Sequence, residues 1–284
     1  QPGAKDEVVE TIQTATDETL YFFTNRGNCF MLDVTRIPET MKLKDRGSLL
    51  TGLIAGLADH EHAVALVCVK SDEMAKKGDF LFITKNGQVK RTAAAEYGIR
   101  RARFAAINLK GNDELVGMVQ VDPEDKDDII LITQLGMALR FKLDTVSCTG
   151  RATAGVQGID VGKDDEVCWF EIPKAGDMLF VLSDRGFGKR MLSDDVERQG
   201  RAGKGQKLLP MNKTGETGTQ VAVCLNVTGA KSVRVEQKHG HTVLLNMDEI
   251  AVERRASKGQ LLVNVLLDDV VQYGALTAET KDEK

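Results

Sequence analysis

The sequence predicts an all-β protein built from repeated four-stranded units. A hairpin-like pattern, in which a short apolar run, two or three polar residues and a glycine precede a second run, recurs five times in the 284 residues. The turn glycines are spaced by 60, 49, 50 and 54 residues: Gly27, Gly87, Gly136, Gly186 and Gly240. The periodicity of amphipathic helices is nearly absent, so strands rather than helices account for the repeat.

The hairpin in each copy comes from short runs of Val, Ile, Leu and Phe around a glycine turn. The second copy, FLFITKNGQVKRT, shows the pattern well, and Asn86-Gly87 places glycine where a positive φ is expected. The other copies read LYFFTNRGNCFML, IILITQLGMALRF, MLFVLSDRGFGKR and KSVRVEQKHGHTVLL. The fifth copy is the weakest because charged residues alternate with its valines.

Two further strands complete each predicted unit. A second glycine follows the turn after 19 or 20 residues in four copies (Gly47, Gly155, Gly205 and Gly259), and Arg103 stands at the comparable place in the second copy. Apolar strands are predicted next, at 49–50, 105–107, 156–159, 208–209 and 261–263, and closing strands at 63–69, 114–121, 166–172, 220–227 and 268–272. Four-stranded blades around a centre protect sheet edges, so a propeller-like fold of about five to six blades is expected.

The domain organisation follows from these repeats. A single domain is expected over 19–273, with repeats at about 19–69, 79–121, 127–172, 177–227 and 231–272. The stretch 72–77 is predicted to be a loop insertion. Within the N-terminal segment 1–18, residues 7–15 resemble an isolated closing strand, which would complete an upstream blade or close the ring with the last copy. A polar tail is expected over 274–284, and its last residues, 279–284, are expected to be disordered.

Composition narrows the class of protein. There are 38 basic and 42 acidic residues, a net charge of −4, and no apolar run approaches the ~20 residues that span a bilayer. The N-terminus is polar and acidic, unlike a signal peptide. Five scattered cysteines, never in a CxxC pair, are expected to be buried thiols in a reducing cytoplasm. We therefore expect a cytoplasmic globular protein.

Positive charge is concentrated in one part of each repeat, from the hairpin turn to the second glycine. These segments (26–47, 86–103, 135–155, 185–205 and 239–259) carry a net +11, and the rest of the chain carries −15. If the repeats are equivalent, the segments form a basic band around the outside of a ring, which favours binding of a polyanion such as duplex DNA. Solvated strand edges that happen to carry Lys and Arg remain the alternative.

Several motifs resemble one family. They are Arg36–Glu39 with Lys44–Gly47, Asn86–Thr92 with Arg100-Arg101, the segment GRATAGVQGI at 150–159, and Gly186–Arg190. Their order and content resemble the C-terminal domain of the bacterial DNA gyrase A subunit or of its paralogue, the topoisomerase IV A subunit. The resemblance covers roughly residues 5–270.

The resemblance implies a β-pinwheel, a propeller-like ring whose blades exchange strands with their neighbours. It implies that the domain is not an enzyme by itself and that duplex DNA wraps around its basic rim. It implies, as partners at the nucleoid, the ATPase B subunit together with the rest of the A subunit. It also implies that the catalytic tyrosine and the ATPase lie elsewhere. No catalytic residue, metal or cofactor is therefore expected in this chain.

One motif departs from the family pattern. The gyrase A subunit carries the box Gln-Arg-Arg-Gly-Gly-Lys-Gly on its first blade, and wrapping depends on it. Here the best match, Gln199–Gly205, has five identities of seven and lies in the fourth copy. Strong gyrase-like wrapping and the weaker binding or bending of topoisomerase IV therefore both remain open, as does a protein-interaction platform.

The expected DNA-contacting residues are basic side chains of the positive segments with one glutamine. They are Arg36, Lys44, Arg46, Lys90, Arg91, Arg100, Arg101, Arg103, Arg140, Arg151, Lys189, Arg190, Arg198, Gln199, Arg201, Lys204, Arg254, Arg255 and Lys258. Two His pairs, 60/62 and 239/241, have same-face spacing but are expected to be polar loop residues rather than metal ligands.

Overall fold

The computed structural model describes residues 11–39 and 47–277, and the regular structure in these ranges is almost entirely β. The strands are β1 (Thr19–Thr24), β2 (Asn28–Asp33), β3 (Ala63–Val69), β4 (Asp79–Thr84), β5 (Gln88–Ala93), β6 (Arg103–Ala105), β7 (Leu115–Val121), β8 (Asp128–Thr133), β9 (Met137–Lys142), β10 (Val156–Gln157), β11 (Val167–Glu171), β12 (Met178–Ser183), β13 (Phe187–Leu192), β14 (Gln206–Lys207), β15 (Val221–Asn226), β16 (Ser232–Gln237), β17 (Thr242–Asn246), β18 (Gln260–Leu261) and β19 (Val271–Leu276). One short α-helix, α1 (Leu50–Leu53), and several 3-10 turns complete the described structure.

The strands form five antiparallel sheets, which confirms the all-β prediction. Their orders are β3-β1-β2-β6, β10-β5-β4-β7, β11-β8-β9-β14, β15-β12-β13-β18 and β17-β16-β19. Each sheet contains one predicted hairpin and, beside the first hairpin strand, the closing strand of the same repeat. The first closing strand, β3, has the predicted bounds, and the next three lie within theirs.

The outer strand of each four-stranded sheet comes from the next repeat. Strand β6 pairs with β2, β10 with β5, β14 with β9 and β18 with β13. Local pattern alone assigns four strands to each repeat, whereas the resemblance implies this exchange. The fold is therefore a β-pinwheel of strand-exchanged blades.

The first four turn glycines form the hairpin turns and also bind the exchanged segment of the next repeat through their carbonyls. Gly136 has a φ of 81°, and its carbonyl accepts hydrogen bonds from the amides of Leu208 at 2.7 Å and Leu209 at 3.3 Å. A Cβ at Gly136 would lie 2.6 Å from the Leu209 carbonyl oxygen. Glycine is thus required there for both the backbone conformation and the close approach of the next repeat.

The chain divides into two compact units, and the first comprises 1–84, 90–124 and 147–155. Its main core is aromatic, with the ring of Phe23 edge-on to the rings of Phe80, Phe82 and Tyr97, each at 5.6 Å between centroids. A second core lies around Phe22 and includes residues of β2 and β3.

The second unit comprises 85–89, 125–146 and 156–284. Its strand β12 is buried on both faces, because Leu179 and Val181 belong to one core cluster and Phe180 and Leu182 to the other. Alternate side chains of a strand point to opposite faces, so a continuous apolar run is what a doubly covered strand requires. No helix in the described ranges is both long and apolar enough to cross a membrane.

Two expectations for the first repeat and its insertion were wrong. Residues Leu49-Leu50 do not form a strand; helix α1 begins at Leu50, and Leu50 and Leu53 pack at helical i,i+3 spacing against the second core while Leu49 is exposed. The predicted loop insertion 72–77 is a 3-10 turn, Ser71–Lys77, because Met74 is buried in the aromatic core.

The ends of the chain also differ from expectation. Residues 11–15 of the predicted N-terminal strand are not a strand, and the rest of it lies outside the described residues. The last closing strand is β19, which extends to Leu276, past the predicted end of the last repeat at 272. The predicted disordered segment 279–284 lies outside the described residues as well.

Candidate nucleic-acid interface

The candidate interface is made of the loops that lead into the four exchanged strands. We call them the first to fourth exchanged loops: 99–102 before β6, 147–155 before β10, 197–205 before β14 and 252–259 before β18. The last three begin with the same backbone bond, in which an amide donates to the carbonyl of the Arg in the second hairpin strand. These bonds run from Thr149 to Arg91, from Gln199 to Arg140 and from Glu253 to Arg190, each at 2.8 Å.

Nine of the sequence-predicted contact residues are exposed, eight of them on or next to these loops. They are Arg100, Arg101, Arg103, Arg198, Gln199, Lys204, Arg254, Lys258 and Arg36, the last residue of the 3-10 turn Val34–Arg36. The third and fourth loops are held at both ends by backbone pairing with the hairpin strand, so the side chains that they carry start from fixed positions.

Three predicted contacts are half-buried arginines at the same position of the second, third and fourth exchanged loops. Each guanidinium donates to a backbone carbonyl of the preceding exchanged strand. The bonds run from Arg151 to Ala105, from Arg201 to Gln157 (2.7 Å) and from Arg255 to Lys207 (2.6 Å). We call these residues the staple arginines. A guanidinium has five N–H donors, so one bond to a carbonyl leaves others for a phosphate. In the first loop Ile99 stands at this position.

Arg140 and Arg198 meet at one buried carboxylate. Their Nε atoms lie 2.7 and 2.9 Å from Oδ2 of Asp128, whose side chain is 2% exposed. Burial raises the pKa of Asp128, but hydrogen bonds from Arg198 and Arg140 outweigh it and hold the pKa below its usual value. Arg198 is half exposed, so the pair presents one guanidinium outward and keeps the other within the sheet.

Three predicted DNA contacts are buried, and the structure corrects them. The Lys90 ammonium lies 2.9 Å from the Tyr97 hydroxyl and over the Phe82 ring, and its side chain is not exposed. Arg91 is buried and paired with Asp79 at 2.7 Å. Lys189 is also fully buried. Their strands are covered on both faces, so none of the three side chains can reach a phosphate in this conformation.

The buried lysines have strongly perturbed acidity. Burial lowers the pKa of Lys90 to about 7 and that of Lys189 to about 8, because an ammonium loses hydration inside the protein. Arg190 is half-buried, and its Nε donates to the Ile250 carbonyl at 2.8 Å. Lys44 and Arg46 lie outside the described residues.

Sequence reasoning missed two exposed lysines beside the loops. Lys207 lies on β14, two residues after Gly205, where the positive segment was taken to end. Lys142 ends β9 and is exposed. Both lysines could have been predicted, because each follows other basic residues of its segment in the sequence. Arg185, in contrast, is drawn inward by the Leu266, Asp269 and Val265 carbonyls.

In the described residues, the tyrosine, cysteine and potential metal-binding side chains do not all come together in one site. The Tyr97 hydroxyl donates to the Ala106 carbonyl at 2.7 Å, and Tyr21 is fully buried. All five cysteines are free; Cys29, Cys68 and Cys224 are buried, but Cys148 is exposed, contrary to expectation, because it lies on the second exchanged loop. Across residues 11–39 and 47–277, no three His, Cys, Asp or Glu side chains are placed to hold a metal ion.

Comparison with known proteins assigns the family. The family profile described as "DNA gyrase C-terminal domain, beta-propeller" matches residues 78–122, 127–170 and 177–218. The DNA gyrase A subunit of Deinococcus deserti is 33% identical over 275 residues, 95% of this chain. This chain belongs to the family of DNA gyrase A C-terminal domains. The gyrase A subunit of Chlamydia trachomatis is 30% identical over 90% of the chain. The chain spans about a third of the length of these curated relatives.

Solved structures of this family share the fold. The C-terminal domain of a DNA topoisomerase IV superposes with a TM-score of 0.82 and 25% identity, covering 92% of this chain and 79% of the other. A DNA gyrase A C-terminal domain superposes with a TM-score of 0.70 and 18% identity, covering 93% and 84%. The strand-exchanged blades are thus common to both branches, and the fold does not separate gyrase from topoisomerase IV.

Proposed function

We propose that this chain is a non-catalytic DNA-binding and DNA-wrapping domain from the A subunit of a type IIA topoisomerase. The observation that carries the proposal is the exposure of basic side chains on three of the four exchanged loops and around β6, while the staple arginines tie the loops to neighbouring strands. Regularly placed cations on rigid loops suit a polyanion whose phosphates repeat at fixed spacing. Duplex DNA is such a polyanion.

The proposed contacts are to phosphates rather than to base edges. Eight of the nine exposed predicted residues are Arg or Lys, which bind phosphate by charge and, for Arg, by paired N–H donors. The second and third exchanged loops contain two and three glycines, which let the backbone approach a phosphate closely. Binding should therefore depend little on DNA sequence and strongly on salt.

The proposed protein partners are the ATPase B subunit together with the remainder of the A subunit. In this proposal they supply ATP hydrolysis and strand cleavage, and the domain wraps a DNA segment so that strand passage changes supercoiling. The proposed location is the bacterial cytoplasm, on the nucleoid.

Binding or bending without strong wrapping, as in topoisomerase IV, is the second candidate. One observation favours it: the box-like motif 199–205 lies in the third exchanged loop and not on a first blade. The two candidates share the DNA contacts and differ in the path that the DNA takes. A linking-number measurement therefore separates them.

The salt dependence of affinity tests the proposed contacts. We predict that replacing three exposed loop cations together, Lys204→Gln, Arg254→Gln and Lys258→Gln, weakens duplex binding. It should also reduce the slope of log affinity against log salt by about 3, close to one counterion per lost phosphate contact. Fluorescence anisotropy with a labelled 40-base-pair duplex at several salt concentrations measures both quantities.

The control replaces three exposed lysines away from the exchanged loops. Lys163→Gln, Lys213→Gln and Lys231→Gln remove the same charge from the second unit but lie between other strands. The control should change the slope by less than 1. Equal slopes for the two triple variants would show that net charge, and not the exchanged loops, sets the affinity, and would reject the proposed interface.

A further inference from the structure

Lys189 lies on strand β13, and the end of its side chain is surrounded by the fourth exchanged loop. The loop is tied to β13 on both sides of this residue: the Glu253 amide donates to the Arg190 carbonyl at 2.8 Å, and Gln260 pairs with Gly188. The side chain of Lys189 is fully buried although its strand precedes an exposed basic loop. The loop therefore passes around the end of the lysine side chain.

Three carbonyl oxygens of the loop converge on the Lys189 ammonium. Its Nζ lies 3.1 Å from the Arg254 oxygen, 2.6 Å from the Arg255 oxygen and 2.5 Å from the Ser257 oxygen. An ammonium has three N–H donors, so the three carbonyls account for all of them. Because these carbonyls point inward to one cation, the backbone between them is held in one conformation.

The same loop carries basic side chains at the protein surface, whereas three of its carbonyls face the Lys189 ammonium. Arg254 and Lys258 are exposed, and Arg255 is a staple arginine whose guanidinium donates to the Lys207 carbonyl at 2.6 Å. The buried cation thus orders the backbone that presents these three surface cations. The Arg254 carbonyl also accepts from the Ser257 amide at 3.0 Å, so loss of the lysine charge would remove the donor chiefly from the Arg255 and Ser257 carbonyls, which favours a rearranged loop.

The other hairpins do not build this arrangement. At the equivalent position the third hairpin has Leu139 and the first has Phe30, both buried, and the second has Lys90, whose ammonium binds the Tyr97 hydroxyl and the Ala106 carbonyl instead. A folded blade therefore accommodates leucine at this place. That makes leucine the natural substitution for a test.

We propose that Lys189 is a positioning residue for DNA binding, whose ammonium organises the fourth exchanged loop so that Arg254, Arg255 and Lys258 face the phosphates. The inference rests on the proposed function. The charged groups around the ammonium are Glu253 and Arg255 on the exchanged segment and Asp195 on the 3-10 turn after β13. Burial, the main effect, lowers the Lys189 pKa to about 8, so the ammonium prevails at pH 7 and is lost toward pH 9.

A double-mutant cycle tests the proposal. Lys189→Leu should weaken binding of a 40-base-pair duplex about tenfold at pH 7, by loosening contacts from three cations at once. In a background carrying Arg254→Gln, Arg255→Gln and Lys258→Gln, the same substitution should change affinity less than twofold. An equal loss in both backgrounds, or no loss in the native background, overturns the proposal. Met191→Leu, a buried control on β13, should leave affinity within twofold.

Two further readouts separate positioning from general destabilisation. In the DNA-free protein, Lys189→Leu should speed amide hydrogen exchange at 254–259 but not in β12; unchanged exchange in the loop contradicts the proposal even if the wild type binds no DNA. The affinity advantage of the wild type over Lys189→Leu should shrink between pH 7 and pH 9. An advantage that does not depend on pH would overturn the role of the ammonium. Lys189→Met replaces the leucine variant should that variant fail to fold.

Discussion

Lys90 shows how burial changes the chemistry of one residue in this fold. A lysine in a polar-looking strand, Gln-Val-Lys-Arg-Thr, is instead enclosed by Phe82 and Tyr97. Its pKa of about 7 lies well below the ordinary lysine value of about 10.4. Between these two pH values the unfolded chain binds a proton that the folded protein does not, so folding becomes more favourable as pH rises.

This difference predicts a pH-dependent stability effect. Relative to Lys90→Met, the wild type should gain on the order of 2 kcal/mol in free energy of unfolding between pH 6 and pH 9. Urea unfolding of both proteins at several pH values measures it. The exposed Lys110→Met variant serves as the control and should show no such change. A wild-type advantage that is constant with pH would mean that Lys90 titrates like an exposed lysine.

At the scale of the elements, the hairpin turn and the exchanged strand are coupled through glycine. Gly136 and Gly240 share the turn position and positive φ values of 81° and 91°. A Cβ at Gly136 meets the exchanged segment at the Leu209 carbonyl, whereas nothing lies within 4 Å of a Cβ at Gly240. Among the described strands, β17 after Gly240 pairs only with β16 and receives no exchanged strand.

These two glycines form a matched pair for mutation. Both Gly→Ala substitutions strain the turn, but Gly136→Ala should destabilise the protein by about 2 kcal/mol more, since it also displaces the exchanged segment. Comparison of the free energies of unfolding in urea tests this. Equal losses at the two positions would show that the exchanged segment adjusts freely to a side chain.

Much of the element pattern, but little of the exchange, could be predicted from local sequence. Hairpins and closing strands such as Ala63–Val69 are marked by dense apolar runs and turn glycines. The exchanged strands are two or three residues long and pair with a hairpin that is distant in sequence. Their hydrophobic pattern therefore does not show which hairpin they pair with. The short helix α1 was missed because only Leu50 and Leu53 mark its packed face.

For the candidate site, residue type predicted charge but not exposure. Exposed members such as Lys204 and Arg254 lie in polar loops, where polarity does indicate exposure to solvent. Lys90 and Lys189 lie in the second hairpin strand, where alternation would place polar residues outward. Both faces of that strand are covered, a consequence of blade packing that a single strand does not reveal.

On the scale of the whole molecule, the uneven distribution of charge is the property most relevant to the proposed DNA binding. The chain carries a net −4, yet the positive segments carry +11 and the remainder −15. In the proposed function, the exposed cations of the exchanged loops attract DNA although the chain as a whole is acidic. The separation also explains why an acidic protein can be a DNA-binding domain.

The central claim is that the domain wraps duplex DNA, and a topoisomer assay tests it most directly. Nicked plasmid is ligated in the presence of increasing protein, then freed of protein, and its linking number is read by electrophoresis. We predict a shift toward positive supercoils that grows with bound protein. Confirmed binding with an unchanged linking number would contradict wrapping and favour a topoisomerase IV-like role, and no binding at all would contradict the proposed DNA interface.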